Sequence, residues 1–275
     1  MKIKYLGTAA AEGIPALFCT CDSCRKARLL GGRNIRSRSQ ALIDHSLLID
    51  FPCDSLYHAW LNGLDYTTLQ HCIITHVHSD HFYAPELCNL RKGFASLPEN
   101  WPTFNIYGSE DLKSAGAEAF QSAPERIQFH QVLPFQSFQA GALTVTPLKA
   151  YHGTAHPYIY MIHGNHKTML YAHDTDEFPD ETWSFLKKNK PYFDFVSLDC
   201  TGGAHQDLSY RAHMCLGRNI SCRNELRRWG LIDDQSLVCL NHFSHNGLSV
   251  LYDDFCKIAE KENFIVSYDG MEIEF

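Results

Sequence analysis

A layered protein of sheet and helix is the fold class this sequence predicts, and three observations predict it. Short apolar runs alternate along the chain with segments of helical periodicity. Several of those runs end abruptly in His, Asp or Asn, as strands do where an α/β protein places its function. The chain has 275 residues and nothing that resembles a linker, so residues 1–275 read as a single domain with a substantial core.

The elements follow in order. Lys2 to Leu6 alternate as a strand that ends at Gly7, rather than building the apolar core of a signal peptide. A loop reaches Cys19, Cys21 and Cys24, and a basic helical stretch with Arg25, Lys26 and Arg28 follows. Gln40 to Ile43 and Ser46 to Asp50 read as a hairpin, and Asp54 to Leu61 as a short helix. The apolar run Gln70 to Ile74 is a buried strand. Pro85 opens a helix through Glu86, Leu87, Leu90 and Phe94, since proline suits a first helical turn. Strands are expected at Phe104 to Tyr107, Ile127 to Val132 and Leu143 to Leu148, around a helix from Ser109 to Gln121. Tyr158 to Ile162 and Thr168 to Ala172 form a hairpin turned at Gly164 and Asn165. A helix near Asp180 to Lys188, a strand Phe193 to Leu198 ending in Asp199, and a helix closing at Arg227 to Gly230 come next. Ser236 to Leu240 is a strand, and Leu248, Leu251, Phe255 and Ile258 lie at helical spacing on one core stripe. The chain closes with two strands turned by Asp269 and Gly270.

Composition narrows the function classes. A formal net charge of −7 argues against a general affinity for nucleic acid or anionic membrane. No apolar run approaches the ~20 residues that span a bilayer. Eleven cysteines would suggest disulfides in a small secreted protein. Here the length and the bunching of three of them favour metal binding in a reducing, cytoplasmic setting.

Thr75 to His81 contains His76, His78, Asp80 and His81, too many metal-binding side chains in one place for a solvated loop. The stretch sits between a strand and a helix. Cys19, Cys21 and Cys24 form a C-x-C-x-x-C knuckle whose three thiolates leave a tetrahedral zinc one ligand short. Asp50 is either a turn residue or a hydrogen-bond partner for a ligating histidine. His152, before Gly153, and Asp174, at the end of its strand, gain meaning only from context, and the neighbouring His173 and Asp176 read as supporting or loop residues.

The H-x-H-x-D-H string, with His152, Asp174 and His242 following in order, resembles the signature of the metallo-β-lactamase-like hydrolases, and the likeness extends along nearly the whole chain. The resemblance implies an α+β, four-layer αββα sandwich with a two-metal site at the edge of its sheets. His76, His78 and His152 would hold one cation, Asp80, His81 and His242 the second, and Asp174 would bridge them. The knuckle, with His245 three residues after His242, is similar to the PhnP-like branch of phosphoribosyl cyclic phosphodiesterases. That likeness implies a structural Zn²⁺ held by Cys19, Cys21, Cys24 and His245. Asp50 and the ending Tyr268 to Met271 are further similar points. The tRNase Z group shares the core ligands and the His242, Phe243, Ser244 string. Its long-form members generally carry a tRNA-gripping insertion that the 22 positions from His152 to Asp174 cannot hold.

These ligands imply a chemistry. Two divalent cations, Zn²⁺ or Mn²⁺, roughly 3.5–4 Å apart can hold a water between them and supply hydroxide near neutral pH. The expected function is a metal-dependent phosphoric diester hydrolase for a small phosphodiester, cyclic ribose phosphates included. Asp80, as a ligand, and His213, as general acid, are the residues expected to serve the reaction, with His205 in the same loop as the competing acid. Hydrolysis of an ester, lactone or thioester is the alternative, because the same hydroxide can attack carbonyl carbon. A tRNase Z-like nuclease and a non-catalytic metal-binding protein rank below it. The expected partner is a small phosphodiester, with homodimerisation open and neither membrane nor nucleic acid expected.

Overall fold

The computed structural model describes all residues, 1–275. Six strands open the chain: β1 (Lys2–Gly7), β2 (Gln40–Ile43), β3 (Leu47–Ile49), β4 (His71–Ile73), β5 (Phe104–Gly108) and β6 (Ile127–Gln131). The next seven build a second sheet: β7 (Phe138–Ala140), β8 (Leu143–Lys149), β9 (Tyr158–Gly164), β10 (Lys167–Ala172), β11 (Phe195–Asp199), β12 (Leu237–Asn241) and β13 (Ile265–Val266). The last, β14 (Glu272–Glu274), returns to the first sheet beside β1, which then runs β14-β1-β2-β3-β4-β5-β6, against β13-β12-β11-β10-β9-β8-β7 in the second. Pairing is parallel from β3 to β6 and from β10 to β13, and antiparallel elsewhere.

Strands in both sheets read as nearly continuous apolar runs because both of their faces are buried. In β2 and β3, Ala41, Ile43, Leu47 and Ile49 point into the core between the sheets, where they meet Tyr160, Met169, Tyr171 and Phe195 of the other sheet. The alternate residues Leu42 and Leu48 point outward to Leu87, Leu112 and Ala119. Those three belong to the outer helices α3 (Ala84–Leu87), α4 (Asp111–Ala115) and α5 (Ala117–Ser122), which follow α1 (Asp22–Leu30) and α2 (Ser55–Asn62). On the far side, Leu170, Val196 and Leu240 pack with Leu186, Leu226 and Phe255. Those come from α6 (Asp180–Asn189), α7 (Leu216–Arg228) and α8 (Tyr252–Ala259). The result is the α+β, four-layer αββα sandwich. A fully buried large apolar side chain contributes about 1.5–3 kcal/mol, and three such cores hold both sheet rims in fixed relation. No helix is long and apolar enough to cross a membrane.

Five sequence expectations change. The helix entered at Pro85 ends at Leu87 and tightens into a 3₁₀ turn over Cys88–Leu90, leaving Phe94 outside and exposed. Gly116 divides the expected 109–121 helix into α4 and α5. The β9–β10 turn falls on Asn165 and His166, both at positive φ, one residue later than expected. Leu248 precedes α8 and is exposed, and the two closing strands lie in different sheets, so Asp269 and Gly270 cross between layers rather than turn a hairpin.

Candidate metal centre and active-site cavity

The candidate site collects at the carboxyl ends of β3, β4, β8, β10, β11 and β12. After β4, the N–H groups of His81 and Phe82 both donate to His78 O (2.9 and 2.8 Å), curling residues 78–82 into a turn. That turn brings His78, Asp80 and His81 alongside His76. His78 Nδ1 lies 3.0 Å from His76 Nε2 and 3.2 Å from His152 Nε2, so three imidazole nitrogens converge. His152 Nδ1–H donates to Ala212 O (3.1 Å), which leaves Nε2 as its atom toward the group. A second convergence joins Asp80, His81 and His242. His81 Nε2 lies 3.2 Å from Asp80 Oδ2 and 2.6 Å from Asp174 Oδ2, while His242 Nε2 lies 3.0 Å from the same Asp174 oxygen. Asp174 Oδ1 turns the other way, 3.7 Å from His152 Nε2. All seven residues expected in the two-metal set are therefore brought together, with Asp174 between the halves.

Carboxylates behind these rings set their orientation. Asp50 accepts from His81 Nδ1 (2.7 Å), from Thr75 N–H (2.7 Å) and from Thr75 Oγ1 (2.9 Å), so it supports a histidine rather than merely turning the chain. Asp199 accepts from the backbone N–H groups of Asp174, Thr201 and Met214, and from His213 Nδ1 (3.0 Å). Thr201 Oγ1 lies 2.9 Å from His242 Nδ1. Asp50, Asp174 and His242 have φ of 67°, 50° and 61°, each just past a strand. Such backbone is costly for a side-chain-bearing residue and concentrates at functional sites.

The electrostatics favour positive charge at the centre. Burial alone would drive protons off His81 and His242. Asp174 in both cases, aided by Asp50 for His81 and by Asp199 for His242, more than offsets it, placing His81 well above its ordinary range and His242 at about 10. Burial would likewise raise Asp174, but His242 and His81 hold it well below the usual carboxylate range. His76 lies well below its ordinary value, through burial and then His81. His213 is pulled down by burial and up more strongly by Asp199, for a net rise.

These donors fit divalent cations. His81 Nε2, His242 Nε2 and Asp174 Oδ2 are buried and lack a hydrogen bond of acceptable geometry although they crowd one another. Buried polar atoms are rarely left so, and imidazole with carboxylate is a donor set that Zn²⁺ and Mn²⁺ both accept. The knuckle fits as well. Cys19, Cys21, Cys24 and His245 lie within one ligand sphere, with His245 Nδ1 3.5 Å from Cys19 Sγ and 3.6 Å from Cys21 Sγ. The backbone N–H of Cys24 reaches Cys21 Sγ (3.5 Å), and this bond and His245 outweigh burial to bring the Cys21 thiol down to about 6. Burial leads in pushing Cys24 up to about 11.

A cavity of about 650 Å³ opens over the centre, and both His205 and His213 line it. His213 is half-buried and tied to Asp199, and its ring stacks on His242 at 5.7 Å between centroids. His205 is exposed, and its side chain makes no hydrogen bond to the site. His173 is turned away into a core network, against Ser197 Oγ (2.7 Å) and Asn241. Asp176 pairs with Arg218 and Arg211. Sequence reasoning gave no role to Asp199, Thr201, Glu12 or Tyr210. Only the polar end of β11 hinted at the first.

Comparison with known proteins bears on this geometry. The Beta-lactamase superfamily domain matches residues 53–232. Among solved structures, the fold is similar to that of a diphosphatase from the PhnP family, at 18% identity and a TM-score of 0.76, covering 100% of this chain and 97% of that one. It is similar to Zn²⁺-bound PqqB from Methylobacterium extorquens, at 15% identity and 0.72, with 100% of both chains covered. Human tRNase Z, short form, is also similar, at 15% identity and 0.67, with 100% and 99% covered. No curated protein matches the chain in sequence.

Proposed function

We propose a phosphoric diester hydrolase from one premise: the chain belongs to the beta-lactamase superfamily, whose domain spans residues 53–232. The substrate is a small phosphodiester, cyclic ribose phosphates included. The observation that carries the reading is the pair of donor sets on either side of Asp174, with His213 beside them at the floor of one cavity. His76, His78 and His152 would hold one divalent cation, and Asp80, His81 and His242 a second, with Asp174 shared. Bound there, such cations supply Lewis-acid neutralisation of phosphoryl oxygens and the acidity that makes water a nucleophile near neutral pH.

The chain's own residues do the rest. Asp50, Thr201 and Ala212 O fix the rings of His81, His242 and His152, so that the nitrogens facing the centre stay in register. Asp199 holds His213 by Nδ1, which leaves Nε2 to give a proton to the departing alkoxide. Phosphorus is preferred to carbonyl carbon because the H-x-H-x-D-H string occurs together with the cysteine knuckle and His245, as in the PhnP-like branch. One protein of similar fold is a diphosphatase from the PhnP family.

The test is a panel of bis(p-nitrophenyl) phosphate, cyclic nucleotides and lactones, assayed with added Mn²⁺ or Zn²⁺ alongside metal analysis. Turnover of phosphodiesters with three ions per chain, falling to two in Cys21→Ser, is the expected result. Turnover of lactones alone would move the reading to carbon, and stoichiometric metal without turnover of any substrate would remove catalysis.

A further inference from the structure

Resting on the phosphodiesterase reading, we propose that the substrate carries a single phosphate, the diester itself, and that its organic part is uncharged and bears hydroxyl groups. The cavity runs from the candidate metal centre to a mouth formed by the loop after β1, the segment around Ser209 and Tyr210, and the stretch after His242. No lysine or arginine lines it, and its only basic side chains are histidines. A second phosphate needs a guanidinium, an ammonium or a cluster of N–H donors to replace its water.

The nearby arginines are committed elsewhere: Arg38, which donates to Ala11 O on the cavity wall (2.8 Å), is paired with Asp54 (3.1 Å). Arg218 donates to Asp207, Asp176 and the carbonyl oxygens of Leu208, Tyr210 and His213. Arg211 reaches Asp176 Oδ2 (2.7 Å) and Glu177 Oε2 (3.1 Å). Pulling Arg218 or Arg211 toward a ligand would strip a partner from buried Asp176.

What the mouth does offer is neutral and polar, apart from two carboxylates, Glu12 and the Arg218-paired Asp207, and the exposed imidazole of His205. Glu12 Oε1 accepts from Ser244 Oγ and Asn246 Nδ2, both at 3.3 Å; His245 Nε2 stands 3.9 Å away, and no lysine or arginine pairs with it. A second phosphate at this mouth would meet that negative charge, and like charges brought together discriminate against a ligand as surely as a clash does. Hydroxyls of a sugar, by contrast, find donors and acceptors in Ser209, Ser244 and Asn246. The half-exposed Tyr210 ring offers a face for the sugar or an attached base. The geometry therefore selects a cyclic phosphate of a nucleoside or sugar over one that also bears a terminal phosphate, and disfavours diphosphates.

The experiment compares adenosine 2′,3′-cyclic phosphate with its 5′-phosphorylated counterpart on the metal-loaded enzyme, with bis(p-nitrophenyl) phosphate as reference. Calorimetric binding of adenosine 2′-phosphate and of adenosine 2′,5′-bisphosphate provides a readout that needs no turnover. The compounds without the 5′-phosphate should be preferred by at least about tenfold in kcat/KM and in Kd. Glu12→Lys should narrow or reverse both preferences, and Glu12→Gln should move them less, in the same direction. Equal or better handling of the 5′-phosphorylated compounds by the wild type overturns the inference, as does a preference indifferent to both variants. Failure on bis(p-nitrophenyl) phosphate as well as on both cyclic phosphates overturns the phosphodiesterase reading instead.

Discussion

His81 presents Nε2 to Asp80 and Asp174 only because its Nδ1–H is spoken for by Asp50. Asp50→Asn keeps an oxygen for Thr75 but can turn an amide N–H toward His81 Nδ1. The ring must then carry its proton on Nε2, the atom meant for a cation. Metal affinity, followed by chelator competition, should fall about 10–100-fold while the fold persists, and an unchanged affinity would refute the supporting role. His213→Ala makes the complementary prediction. Turnover of a phosphodiester with a poor leaving group should drop about 10²–10⁴-fold with metal content intact, and unchanged turnover would remove His213 from the mechanism. At this scale the candidate ligands were legible because histidines and aspartates so tightly spaced seldom serve anything but a metal. Asp199 was not, since an aspartate closing an apolar strand can as readily turn the chain or cap a helix, and its worth depends on backbone N–H groups that the fold gathers from three separate segments. Glu12 was illegible for the same reason, as nothing near it in sequence announces that the stretch after His242 will lie opposite.

The loop from Thr201 to Cys215 carries His205, Tyr210 and His213, and it owes its shape to α7. Arg218, buried in that helix, donates to three carbonyl oxygens of the loop and to Asp176 beyond the end of β10, so a single guanidinium joins the general-acid candidate to the strand end that bears Asp174. Lysine cannot reproduce a planar fork with five donors. Arg218→Lys should therefore lower kcat/KM about 10–100-fold, because small displacements of a positioned group cost that much. It should also open the loop to limited proteolysis while leaving bound metal unchanged. A variant with full activity and an uncut loop would show that the clamp is dispensable. Periodicity found most strands and helices, but it could not see what interrupts them. Gly116 divides one expected helix, and the Pro85 helix stops at Leu87. Leu248 fits the helical stripe by spacing yet lies in the turn before α8, where the chain is fixed by Gly203 pairing with Leu248 and not by its own pattern.

At the scale of the whole molecule, the two termini are tied to the first sheet through one buried polar network. Asp269, at the crossing between layers, accepts from Thr8 Oγ1 and from Ser37, whose Oγ lies 2.7 Å from His58 Nε2 on α2. His58 Nδ1–H donates to Gln40 Oε1 of β2 (2.7 Å), and Ser37 Oγ, with one proton to give, stands between His58 Nε2 and Asp269. Burial, opposed weakly by Asp54, brings its pKa down from 6.5 to about 4. Because the folded value lies below the unfolded one, the unfolded chain binds the extra proton between those limits, and stability falls as pH drops through that window. The contribution is whole above pH 6.5, and about 3 kcal/mol of it is lost by pH 4 at 1.36 kcal/mol per unit. His76 and His152 of the candidate metal centre are lowered by burial too, so the quantity to measure is the difference between wild type and His58→Gln, each stripped of metal, in urea midpoints from pH 4 to 7. Glutamine retains a donor and an acceptor but no titrating group, so the gap between the two proteins should close steadily as the pH falls from 6.5. A gap that stays constant across the range would mean that His58 enters the folded state already charged, and that the network holding both termini is built differently.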